Sequence, residues 1–267
     1  MIAAMALWQA FFFSLPGLVF AGCYGAAVGS FLNVVAYRLP RGISTVSPRS
    51  RCPRCASPIR PWHNLPIVGW LALGGRCKDC RLPIAARYPL VEAATAAIFV
   101  LSFLQHHPSF GRAALACAAA AWALVLALID LDLRVLPDSL TLPAIAVFLA
   151  GQAIFAGRAA LLDASLAAAG AFLLLTLLSR LWRLVRGEDG FGAGDGRFAA
   201  ALGALFGSQG LLLVLPLAAL LALLLAGLLA VALRSGDPRR GRLPFGSALG
   251  FAAISLLLGF PPPGAWP

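Results

Sequence analysis

The stretch GEDGFGAGDGR, residues 187–197, sets five glycines and three carboxylates between strongly apolar segments. Its last acid is Asp195. A second acid, Asp130, closes the uncharged run 113–129. Two carboxylates brought together in a low-dielectric site resist ionising together, so one keeps its proton while the other acts as base. Such a pair activates water for attack on a peptide carbonyl. Gly192 and Gly194 carry no side chains and let backbone approach the acid and a peptide substrate. The same stretch also reads as a linker between spans, and spacing alone leaves dyad and linker open.

The remaining acids have plainer readings. Asp132 lies about 200° around a helix from Asp130 and cannot share its partner; it is expected to face solvent or headgroups. Asp138, in "PDSL", is expected to cap the next helix. Glu188 and Asp189 read as a solvated loop balancing nearby arginines.

Four cysteines form the second constellation. "CPRC" (Cys52, Cys55) and "CKDC" (Cys77, Cys80) stand 21 residues apart. Two CxxC pairs supply four thiolates, the complement of a tetrahedral zinc. That zinc either clamps an otherwise coreless loop or orders a second active centre. His63, between the pairs, is a spare ligand. Cys23 and Cys117 lie inside apolar runs and read as ordinary buried thiols.

The elements that must position these groups are membrane helices. Hydrophobic residues make up 61% of the 267, charged residues only 12%, and mean hydropathy is +0.89. Soluble domains carry about a quarter charged residues, which excludes a soluble globule. Apolar runs recur at a length of about 20 residues, enough to span a bilayer as a helix. The predicted spans are 7–36, 89–106, 113–130, 138–156, 160–180, 211–233 and 243–260. A short piece, 198–207, precedes a "GSQG" break and is too short to cross a core of about 30 Å. The expected fold is an all-α polytopic membrane protein with about eight transmembrane or membrane-embedded helices. Its parts are a first span (1–37), a four-cysteine loop (38–88) and a membrane-embedded core (89–267). The N-terminal run lacks a basic leader and reads as a retained span. Within it, Pro16 predicts a kink, and Gly22, Gly25 and Gly29 predict close helix packing. No internal repeat stands out.

Charge fixes the orientation. The net charge is +11, but the cations crowd loops beside spans, so the positive-inside rule accounts for them and nucleic acid does not. Residues 38–88 hold ten Lys/Arg against one acid, Asp79. Loops 180–197 and 234–242 carry four Arg each, whereas 106–112 and 157–163 carry one each. The Arg-rich loops all fall on one side, the cytoplasmic one, with the N-terminus outside. Asp130 and Asp195 then share that face. A transporter would want its ionisable groups near the midplane; a non-enzymatic zinc-knuckle scaffold is the other alternative.

Several stretches together resemble the bacterial type IV prepilin leader peptidase and N-methyltransferase family. They are "GSFLNVVAYRLP", "CPRC…IRPWHNLPIVGWLALGGRCKDC", "RYPLVE", "IDLDLRVLPDSLTLP", "GAGD" and "PFG", in the family's order. The family is similar to the GxGD aspartyl proteases of membranes, and the motif here is Gly192-Ala193-Gly194-Asp195. The resemblance implies an inner-membrane enzyme that removes a short basic leader from type IV pilins or type II secretion pseudopilins. It then methylates the new N-terminal residue with S-adenosylmethionine. It implies Asp130 and Asp195 as the protease dyad and Cys52, Cys55, Cys77 and Cys80 as metal ligands. Gly75 matches a position associated with methyl transfer. A peptidase without methyl transfer is the alternative, since no glycine-rich nucleotide loop is present. The chain departs from the family at Tyr37 (often His), Arg197 (commonly Lys) and Ser247 (frequently Pro), and these departures are expected to leave the dyad untouched. Membrane lipids are the only other partner implied, and the sequence gives no oligomeric state.

Overall fold

The computed structural model of the chain describes residues 12–187, 190, 192–232 and 245–259. The described residues are helical, with two isolated antiparallel bridges and no strand. In chain order the helices are α1 (Leu15–Arg38), α2 (Val68–Ala72), α3 (Arg87–Gln105), α4 (Phe110–Leu133), α5 (Asp138–Phe155), α6 (Gly157–Arg186), α7 (Ala193–Ala232) and α8 (Phe245–Gly259). Six of them are long and apolar enough to cross a bilayer, and α8 is a shorter apolar helix. The multi-pass helical architecture read from the sequence is present. The start of the first predicted span, the acids Glu188 and Asp189 and the basic segment 234–242 lie outside the described residues.

By its internal contacts the chain divides into two compact units, Met1–Ala121 and Trp122–Pro267. In the first, α1 packs on α3 through the glycines singled out in the sequence. A Cβ at Gly25 would come within 2.9 Å of Ala96 Cα, and one at Gly29 within 2.9 Å of Glu92 Cα. Small residues thus let the two backbones approach closely. Pro16 does not kink α1. It sits in the helix's first turn, where its missing N–H leaves no gap in the ladder. Cys117 is buried as expected, but Cys23 is exposed on α1.

The second unit inverts the usual soluble pattern, as lipid surroundings demand. On α6 the buried face is alanine-rich (Ala164, Ala167, Ala168, Ala171), while Leu162, Leu166, Leu173 and Leu177 are 64–73% exposed. The small face admits α7 closely: a Cβ at Gly203 would meet the Ala167 carbonyl carbon at 2.7 Å. The Trp122 indole anchors the interior edge-to-face against Phe148 and Phe198, each 5.1 Å away.

α7 is two legs rather than one rod. Gly207 has φ +67 and ψ −170, a left-handed φ that favours glycine. Beyond it, Leu211 and Leu215 pack on the same cluster as Ala199, with Ala171 and Leu175. A straight helix would carry them roughly 18 Å or more from Ala199, so the chain turns back at Gly207. The sequence break at "GSQG" begins at this residue. The backbone groups freed there are met by side chains: Gln152 donates to the Leu205 carbonyl at 2.9 Å, and Asp163 accepts the Ser208 N–H at 2.9 Å.

Candidate active site and metal centre

In the second unit, three segments distant in sequence converge on the two aspartates. Asp130 lies near the C-terminal end of α4 and is 5% exposed. Its Oδ2 accepts two hydrogen bonds from Ser247 in the first turn of α8, one from the N–H and one from Oγ, both 2.7 Å. Asp195 is the third residue of α7. Its Oδ2 accepts the Gly192 N–H at 2.9 Å, and its own N–H donates to the Gly192 carbonyl at 3.0 Å. A carboxylate reaching back to the N-cap amide in this way is one half of a capping box. Each acid is therefore held by an amide at the start of a helix, and both line one cavity.

Leu136, in the turn after α4, explains two of the glycines around the pair. A Cβ at Gly194 would meet Leu136 Cβ at 2.8 Å; one at Gly246 would meet Leu136 Cδ1 at 2.9 Å and Asp130 Cγ at 3.0 Å. The "LRVLPD", "GAGD" and "PFG" segments thus meet on one leucine. Asp132 is exposed, as the helical rotation predicts. Asp138 departs from expectation: it lies inside α5, Pro137 is the cap position, and its carboxylate pairs with Arg197. That ion pair ties the start of α7 to the start of α5. Ser247 also departs from expectation, because this divergent position touches Asp130 directly. Neither contact is visible as local sequence spacing, since Ser247 lies 117 residues from Asp130 and Arg197 lies 59 from Asp138.

A cavity of about 960 Å³ opens over both aspartates. Phe172, Leu175, Thr176 and Phe245 line it, with Arg134, Arg180 and Arg183 among its other lining residues. Its volume lies at the upper end of ordinary ligand clefts. The aromatic and aliphatic part of this lining, beside two hydrogen-bonded carboxyls, suits the hydrophobic segment of an extended peptide.

In the first unit, the thiol sulfurs of Cys52, Cys55, Cys77 and Cys80 all lie within 4.8 Å of one another. Cys52 and Cys80 are 3.8 Å apart, and Cys55 and Cys77 are 4.0 Å apart. Four thiolates about 2.3 Å from a tetrahedral zinc stand about 3.8 Å from each other, so the donor set fits that ion. His63 is not part of the group. The two knuckles repeat one fold. Cys52 N–H donates to the Ser57 carbonyl and Cys77 N–H to that of Leu82, both at 2.9 Å; bridges Arg51–Pro58 and Arg76–Pro83 close each turn. The sequence carries this duplication as RCPRCASPI and RCKDCRLPI, a short repeat missed in the sequence reading.

The thiols differ in acidity. Hydrogen bonds from the Ser57 hydroxyl and backbone bring Cys55 down to about 6, and backbone N–H groups of Cys80 and Asp79 lower Cys77. At Cys80 the Leu82 backbone works to lower the thiol, but burial and the three facing cysteines outweigh it and push it up to about 11. Thiolates are the form that binds metal.

Gly75 lies beneath an indole and is buried. Its φ is +67, and a Cβ there would meet Trp70 Cζ2 at 2.7 Å. Its N–H donates to the Trp70 carbonyl and its carbonyl accepts the Ile84 N–H, while Trp70 Nε1 donates to the Ile84 carbonyl. Gly75 thus locks α2 to the second knuckle, with the Trp70 indole packed against it. Gly75→Ala should lower zinc retention several-fold by forcing strain and displacing Trp70. Zinc analysis of the purified protein checks this, and Trp70→Leu in the same background should restore part of it. Glu92, in "RYPLVE", received no role in the sequence reading. It is buried and accepts the Ile67 N–H at 2.6 Å, holding a non-glycine residue at φ +62.

Residues 23–106 match the bacterial peptidase A24 N-terminal domain, and residues 117–231 match the type IV leader peptidase family. A prepilin leader peptidase/N-methyltransferase of Pseudomonas aeruginosa is 38% identical over 266 residues, covering 88% of each chain. One from Aeromonas hydrophila is 37% identical and covers 96% of each. One from Myxococcus xanthus is 38% identical, covering 85% of this chain and 69% of its own. No solved structure matches.

Proposed function

Because the chain belongs to the type IV leader peptidase family, we propose that it cuts the basic leader from type IV prepilins or type II secretion pseudopilins with the Asp130/Asp195 pair. The observation that carries this reading is two carboxyls, each fixed through Oδ2, at one cavity with mixed apolar and charged walls. The ionised member takes a proton from water, whose oxygen attacks the scissile carbonyl carbon. The protonated member gives its proton to the carbonyl oxygen. Collapse of the tetrahedral intermediate breaks the C–N bond, and the leaving amine takes up a proton. The pair titrates as a unit, so either acid can begin as base. The substrate's hydrophobic helix would lie along the spans and lipid, and its leader would remain at the cytoplasmic face of the inner membrane, with the enzyme's N-terminus outside. Gly192 would keep the backbone beside Asp195 accessible, and Gly194 would let that backbone sit against Leu136.

The second activity in this reading is N-methylation of the freed amine, for which S-adenosylmethionine supplies an electrophilic methyl group. The four-cysteine loop would be its zinc-ordered part, with Cys52, Cys55, Cys77 and Cys80 holding the ion. Gly75 would serve methyl transfer through its place in this loop, where it holds α2 to the second knuckle. Incubating the purified protein with a prepilin and S-adenosylmethionine, followed by mass spectrometry, reports both steps. Leader loss and a further 14 Da (roughly one methyl in place of a hydrogen) on the mature N-terminus are expected. An intact prepilin would overturn the peptidase reading, and cleavage without the added methyl would leave a peptidase alone.

A further inference from the structure

Ser247 is fully buried. Its N–H is one of the first-turn amides that a helix cannot pair internally, and it finds its acceptor in Asp130 Oδ2. Its hydroxyl reaches the same oxygen at 2.7 Å and the Ala127 carbonyl at 3.2 Å. A hydroxyl has one proton to donate. A bond to a carboxylate is the stronger choice, and here it is also the shorter. Two donors on Oδ2 engage that oxygen and stop the carboxyl from swinging about its last bond. Gly246 presses on the same group from beside it, 3.0 Å from Asp130 Cγ to a notional Cβ.

We propose that Ser247 is a positioning residue for the dyad, whose hydroxyl and amide together saturate Asp130 Oδ2 so that proton exchange with water takes place at Oδ1. Without the hydroxyl, the amide alone holds Oδ2 and the carboxyl can present either oxygen. The inference rests on Asp130 being a member of the catalytic pair. It goes further by naming the reacting atom and the residue that selects it.

The test compares Ser247→Ala, Ser247→Thr and the native chain in cleavage of a synthetic prepilin in detergent. Ser247→Ala keeps the amide and loses the hydroxyl; kcat should fall about tenfold with KM within about twofold, since the cavity walls are unchanged. Its kcat–pH profile should also be displaced from the native one. Ser247→Thr restores a hydroxyl and should recover kcat to within about threefold and the native pH profile. A purely structural role would lower the melting temperature of both variants or move KM, and would not be rescued through kcat. Native kcat and pH profile in Ser247→Ala would overturn the proposal, as would equal loss in Ala and Thr. If the native chain fails to cut, the peptidase reading falls. If the native chain cuts and Asp130→Asn does not, while Ser247→Ala behaves as native, only the role of Ser247 falls.

Discussion

Asp195→Asn should leave a synthetic prepilin uncut, with kcat/KM lower by roughly 10⁴-fold, and Asp130→Asn should do the same. Asparagine is the informative replacement because its amide oxygen can still accept the bonds that each carboxylate accepts. At Asp195 it can take the Gly192 N–H, preserving the start of α7. At Asp130 it can take both Ser247 donors. The fold therefore keeps its contacts while the pair loses the ability to trade a proton. Melting temperatures within a few degrees of native should accompany the loss. Asp130→Ala is a poorer probe, since it strips a buried amide of its acceptor at about 1–3 kcal/mol. Cleavage at more than a few per cent of the native rate in either Asn variant would rule out the dyad.

Removing the metal separates the two activities. Paired substitution of Cys52 and Cys77 by Ser takes one thiol from each knuckle, leaving two thiolates that cannot complete a tetrahedron. Bound zinc should fall from about one equivalent to near none, and methylation should drop at least about tenfold. Cleavage should fall much less, because both aspartates and all their hydrogen-bond partners belong to Trp122–Pro267. Prolonged chelation of the native protein should reproduce the pattern, and added zinc should reverse it. Full methylation in a zinc-free preparation would remove the loop from that reaction.

What the sequence disclosed follows from the range of each interaction. Six helices long and apolar enough to span, the close packing at Gly25 and Gly29, and the break at "GSQG" are written in local composition, whereas the last predicted span is a shorter apolar helix. The four-cysteine cluster was legible because two CxxC pairs declare themselves by type and spacing. Pro16 stands in the first turn of α1, directly after a break in the helix at residues 13–14, a boundary that composition alone does not mark. Asp138 looked like a cap because a capping acid and an ion-paired acid share a helix start; its partner Arg197 lies in another segment. Ser247 was set aside because no local pattern links a serine after "PFG" to an aspartate on α4. The short repeat around the cysteines was in plain sight, but its nine residues fall below the periods at which repeat architectures are sought.

The reversal at Gly207 also orders the making of the protein. The leg before it is about 14 residues, or roughly 21 Å, too short to enter a bilayer as a stable span alone. Its turn exposes backbone groups that hydrocarbon would not tolerate. Their partners, Gln152 and Asp163, sit on α5 and α6, which leave the ribosome first. The aspartate-bearing leg can therefore settle only against helices already delivered to the membrane, and Asp195 joins Asp130 as a late event of biogenesis.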